Sequence, residues 1–77
     1  MPKYQIEQKM MDRLDNDFRY HQPKDDQAER YQAIREKARE LAVLICENSP
    51  VSREQSVALT HLDQVVMNTN AAIARNE

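Results

Sequence analysis

The sequence predicts an all-α protein assembled as a homo-oligomer. Three observations carry the prediction. Apolar residues recur at three- and four-residue spacing in three separate stretches. Prolines at positions 23 and 50 interrupt the pattern between those stretches. Helix-start signals, Asp25-Asp26 and Ser52, stand just after each interruption.

The first stretch, residues 2–17, reads as a short helix with Pro2 in its first turn and Ile6, Met10 and Leu14 on one face. Alone it is marginal, because isolated helices of this length rarely persist in water, so it needs a surface to pack against. Residues 18–24 break the pattern. They place Phe18 and Tyr20, two of only four aromatics in the chain, beside Arg19, His21 and Lys24, which marks a candidate ligand-binding loop. Residues 25–76 read as a helical hairpin. Asp25 or Asp26 caps its first helix and Glu29 complements the dipole. Tyr31, Ile34, Ala38, Leu41 and Ile45 then form a heptad-like seam. Asn48 to Val51 make the turn. Ser52 and Gln55 form a capping box for a third helix, whose seam is Leu59, Leu62, Val66, Thr69 and Ile73. At about 1.5 Å rise per residue the two long helices each span roughly 33–36 Å and fold back as an antiparallel pair.

Residues 1–77 therefore form one helical domain. A hairpin buries one seam per helix, yet Leu44, Val57, Val65 and Ala72 face elsewhere, as do Ile6, Met10 and Leu14. Chains of this size bury only about 60% of their unfolded surface, so the spare stripes predict self-association. A monomeric three-helix bundle is the alternative.

Composition excludes several functions. A net charge of −2 argues against a partner as anionic as duplex nucleic acid. The absence of glycine excludes the glycine-dependent phosphate loops. No apolar run approaches the ~20 residues that cross a bilayer, and the N-terminus has no signal-peptide core, so a soluble cytosolic protein is expected. One cysteine makes no internal disulfide; Cys46 is expected as a buried, inert thiol and His61 as a half-exposed structural histidine. His21 and His61 have no metal-ligand spacing, and no nucleophile has a recognisable activating partner. We expect no catalytic residue, metal site or cofactor, and no enzyme. Two patterns remain open. Asn68, Thr69 and Asn70, poor helix formers in the third helix, are either a polar layer fixing register or the floor of a pocket. Arg30, Arg35, Lys37 and Arg39 near the aromatic loop suit a nucleotide, or are a solvated salt-bridging face.

The chain resembles a known family over residues 18–76. The likeness rests on Tyr20-His21-x-Pro23-Lys24, Gln27-x-Glu29-Arg30-Tyr31-x-x-Ile34-Arg35 and Ala38-x-Glu40-Leu41. It continues in Ser52-Arg53-Glu54-Gln55-x-x-Ala58-Leu59-Thr60 and in the closing Val66-Met67-x-x-Asn70-Ala71-Ala72-Ile73-Ala74-Arg75-Asn76. It is similar to the small phage-encoded anti-CBASS sponges, whose hairpin is shared with certain anti-Thoeris sponges. The resemblance implies a compact homo-hexamer in the cytoplasm of the infected bacterial host. It would sequester cyclic dinucleotides such as cGAMP, with cyclic trinucleotides at separate pockets, and cleave neither. Carried over by position, Tyr20 matches the base-stacking tyrosine and Arg35 the phosphate-pairing residue. Arg75 matches the arginine of the trinucleotide pocket, with His21 and Lys37 near it. Residues 35 and 37 must point to opposite helix faces, which suits two pockets, and in a symmetric assembly one pocket can draw Tyr20 and Arg35 from different subunits. Gln22-Pro23 stands where many relatives have Pro-Pro, and Asn68-Thr69 where many have Trp-Ala. A helical module that inhibits a host protein partner through its spare apolar stripe is the alternative function.

Overall fold

The computed structural model describes residues 2–77. Among them are three helices and no strand: α1 (Gln8–Asp17), α2 (Gln27–Asn48) and α3 (Arg53–Asn76). The all-α hairpin expected from the sequence is present, with α2 packed along α3. The shape is flat and extended, 51 × 37 × 13 Å with a radius of gyration of 17.4 Å. A compact chain of this length would have a radius near 11 Å.

α1 is shorter than expected. Helix begins at Gln8, and Glu7 ahead of it is extended, so Pro2 is not in a first helical turn. The sequence-based start at residue 2 placed helix where all the described side chains are exposed. A turn that buries nothing has no packing to offset the cost of ordering it. The helix closes where the Phe18 N–H donates to the Leu14 carbonyl at 2.9 Å.

α2 starts at the expected place by a different means. Asp26 is the N-cap residue but its side chain makes no capping bond; its carboxylate takes the Arg30 Nε–H at 3.1 Å instead. Gln27 supplies the closure. Its Oε1 accepts the Lys24 N–H at 3.0 Å, and its own N–H donates to the Lys24 carbonyl at 3.0 Å. The preceding Asp25 has φ 51°, a left-handed conformation that a chain without glycine must assign to a residue such as Asp. α3 opens on half of the expected capping box. Ser52 Oγ accepts the Gln55 N–H at 3.1 Å. The Gln55 side chain turns to the Ser49 carbonyl and hydroxyl at 3.0 and 3.1 Å, and so fastens the turn to the helix instead of closing the box.

The α3 seam falls as the spacing predicts: Leu59, Leu62, Val66, Thr69 and Ile73 are all half-buried. On α2, Tyr31, Ile34, Ala38 and Ile45 turn inward, but Leu41 is exposed and Ala42 takes its place. Past Ala38 the inward step is four residues, as 3.6 residues per turn requires somewhere along a straight helix. Cys46 is likewise exposed, not buried, because Ile45 holds the inward position and the next residue is turned about 100° away. His61, beside inward Leu62, is exposed too, where half-exposure was expected. No helix is long and apolar enough to cross a membrane among the described residues.

No apolar side chain is fully buried among the described residues. The seam is half-covered and its flanks are open. Leu44, Val57 and Val65 face outward as the second stripe predicts, Val65 at 58% exposure. Two apolar grooves of about 510 and 460 Å³ run along the hairpin, and Ala38, Leu62 and Val66 line both.

Candidate ligand cleft

α1 hydrogen-bonds to the hairpin at its open end. Asn16 Nδ2 donates to the Arg75 carbonyl at 2.9 Å, and an Arg75 guanidinium N–H returns to the Asp17 carbonyl at 3.1 Å. His21 Nε2 hydrogen-bonds the Asn16 carbonyl at 2.7 Å, a contact in which that nitrogen donates. These bonds fold the loop of residues 18–26 back over the ends of α2 and α3. They border an open cleft of about 380 Å³.

Each element contributes to it. α1 gives Asp17 and the loop gives Arg19, Tyr20 and His21. α2 gives Tyr31 and Arg35, one helical turn apart on one face. α3 gives Asn70, Ala71, Ala74 and Arg75, where the two alanines leave the space that larger side chains would fill. Three guanidiniums face one carboxylate, so the cleft is cationic within a chain of net charge −2. Tyr20 is 80% exposed, leaving its ring open to a partner. The Arg35 guanidinium is held by Gln32 Oε1 at 2.7 Å, a neutral acceptor that leaves its charge uncompensated. Asn70 Oδ1 is buried and has no hydrogen-bond partner. Such an atom is costly to bury unless a donor reaches it.

Of the residues singled out in the sequence, Tyr20, His21, Arg35 and Arg75 line this one cleft of a single chain. Tyr20 and Arg35 need no second subunit to meet. Lys37 does not join them. It lies along the 510 Å³ groove on another face, paired with Glu40 at 3.3 Å. Tyr31, a seam residue by its spacing, and Asp17, the last residue of α1, also line the cleft. The Tyr31-x-x-x-Arg35 spacing was the available signal for the first. Asp17 carried none, since its place depends on how α1 docks. Asn68 and Thr69 bond back to the Gln64 and Val65 carbonyls at 2.9 and 2.7 Å, whereas Asn70 faces the cleft.

A clasp holds the loop's far end. Gln27, 3% exposed, donates from Nε2 to Glu77 Oε1 at 3.1 Å. Arg30 binds both Glu77 carboxylate oxygens, one of them at 2.7 Å, and Lys24 Nζ reaches the Glu77 carbonyl at 2.9 Å. Hydrogen bonds from Arg30 and Gln27 pull the Glu77 carboxyl down from 4.5 to about 2, and the same pairing raises Arg30. A carboxylate whose folded value is depressed stabilises the fold above its unfolded value and ceases to do so as pH falls through the folded one. The stability difference between the parent and Glu77→Gln is therefore expected to be constant above pH 5. It should shrink between about pH 4.5 and 2, as followed by thermal melts across that range. A difference independent of pH would mean that Glu77 is not held as a carboxylate.

No group of three or more His, Cys, Asp or Glu side chains among the described residues could hold a metal ion. No curated protein and no solved structure matches the chain significantly. One family does, over residues 10–74, a span described as Acb2/Tad1, hairpin domain. The match begins within α1, so most of that helix lies inside the family domain, although the resemblance seen in the sequence began at residue 18. It stops one residue short of Arg75. Spanning most of α1, the cleft-forming loop and both long helices, it places this chain in the Acb2/Tad1 hairpin-domain family.

Proposed function

We propose that this protein binds cyclic oligonucleotide second messengers and holds them without cleavage, so that a phage escapes CBASS signalling in the cytoplasm of its bacterial host. The observation that carries the reading is the cleft: an open tyrosine ring, a second tyrosine and three guanidiniums in about 380 Å³. Bases stack on aromatic rings, and guanidiniums pair with phosphates in a bidentate manner. Tyr20 is the stacking platform and Arg35 the phosphate partner of a cyclic dinucleotide such as cGAMP. The resemblance assigns His21, Lys37 and Arg75 to a cyclic trinucleotide; His21 and Arg75 line the same cleft as Tyr20 and Arg35, so a second pocket forms only in the assembly, where a neighbouring subunit supplies Lys37.

Self-association, as a homo-hexamer, belongs to the same reading. A chain in which none of the described apolar side chains is fully buried gains its core from copies of itself. The cleft open at Tyr20 closes in the same step. Sequestration then follows from affinity and copy number alone, since no chemistry is performed on the ligand.

The test is isothermal titration with 3′,3′-cyclic GMP–AMP, followed by heat denaturation and chromatography of what is released. Tight binding with the nucleotide recovered intact is the expected result. Recovery of a linear product would make the protein an enzyme. Absence of heat with cyclic dinucleotides, cyclic trinucleotides and cyclic ADP-ribose isomers alike would replace this reading with inhibition of a host protein through the apolar stripe.

A further inference from the structure

The cationic cleft contains an anion that phosphate recognition does not need. Asp17 sits at the end of α1 with Arg13 Nε at 3.5 Å and Arg75 Nε at 3.8 Å from its two carboxylate oxygens. Both separations exceed the usual N–H···O hydrogen-bond distance, and among the described residues no hydrogen bond reaches the carboxylate. Its lone pairs are therefore available at the cleft wall. The second feature is Asn70 on the same cleft wall, whose shielded Oδ1 has no hydrogen-bond partner. A carboxylate that is ion-paired but accepts no hydrogen bond, and an amide oxygen without a donor, in a cavity otherwise lined by donors and rings, suit a ligand edge that donates.

Among the bases one edge fits. Guanine presents two adjacent donors, its imino N–H and its exocyclic amino group, and a carboxylate can accept both at once. Adenine offers an amino group beside a ring nitrogen whose lone pair would face the second carboxylate oxygen. Cytosine has the same defect, and uracil flanks its single imino donor with carbonyl acceptors. A base edge bound this way also keeps phosphates away from the carboxylate and leaves them to the guanidiniums.

We propose that Asp17, with Asn70 beside it, reads the Watson–Crick edge of guanine and makes the cleft selective for guanine-containing cyclic dinucleotides. The assignment rests on the sequestration reading above and adds to it which base is taken. A good bidentate pair discriminates by roughly ten-fold or more. The parent protein is accordingly expected to bind cyclic di-GMP at least about ten-fold more tightly than cyclic di-AMP. Asp17→Asn exchanges one acceptor for a donor and matches the adenine edge, so it is expected to remove or invert that ratio. Asn70→Ala should lower the ratio without touching the Asp17–Arg75 pairing, and it decides the matter if Asp17→Asn fails to fold by circular dichroism. Equal affinity of the parent for the two ligands overturns the proposal. So does an equal loss of both in the variants, which would make Asp17 only a support for Arg75. A parent that binds neither ligand nor 3′,3′-cyclic GMP–AMP fails at the sequestration reading itself, a result distinct from binding without preference.

Discussion

Tyr20→Ala is expected to weaken cyclic dinucleotide binding by roughly ten- to hundred-fold, the value of about 1–3 kcal/mol for one base stacked on an aromatic ring. The ring is 80% exposed in the chain, so its removal opens no cavity and relieves no packing. Helix content and melting temperature should stay at parental values, and the whole effect should appear in the titration. Tyr20→Phe keeps the π-face and is expected to bind within about two-fold of the parent. Arg35→Ala should cost about as much as Tyr20→Ala, through loss of a charge-assisted phosphate contact. Arg35→Lys should recover little of it, because an ammonium cannot reproduce the planar fork. Parental affinity in both alanine variants would remove the ligand from this cleft.

The hairpin was legible in the sequence because its signals are local. Seam spacing, Ser52 and the proline interruptions act within a few residues, and the structure differs from them chiefly where α2 takes one four-residue step too many for a strict heptad, at Leu41 and Ala42. Where the outcome depended on tertiary surroundings the reading was poorer. Residues 2–7 find nothing to pack on and leave the helix, and Cys46 turns out of an apolar run that local composition alone would bury. The cleft divides in the same way. Tyr20, His21, Arg35 and Arg75 could be named in advance from a resemblance, but what gathers them is a set of contacts between segments 53 to 59 residues apart. Glu77 clasped to Arg30, and Asn16 to Arg75, have no periodicity and no motif. The Asp17 carboxylate that accepts no hydrogen bond and the orphaned Oδ1 of Asn70 were invisible for a related reason: an unsatisfied group is recognisable only once its surroundings are known.

The two valines at 65 and 66 separate the energetics of the hairpin from those of the assembly. Val66 lies at the middle of the α3 seam, half-buried, and lines both interhelical grooves. A carboxylate there forfeits part of the about 1.5–3 kcal/mol that full burial of a valine gives, and adds the cost of desolvating a charge that Lys37, Arg35 and Arg39 along the same grooves offset only in part. A chain near this length has little stability to lose, and each kcal/mol moves the melting temperature of so small a domain by about 4–8 °C. Val66→Asp is therefore expected to abolish the cooperative helical transition seen by circular dichroism. Val65 is 58% exposed in the chain, and aspartate at that position would be neutral if the hairpin worked alone. If copies of the chain cover the outer stripe, the parent's melting temperature rises with protein concentration by mass action. Val65→Asp should then lower the mass measured by light scattering and the melting temperature together. Helical signal should persist at low temperature, because the inner seam is untouched. Parental mass and melting behaviour in Val65→Asp would leave that flank outside any interface and shift the search to Leu44 and the face of α1 that carries Met10 and Met11.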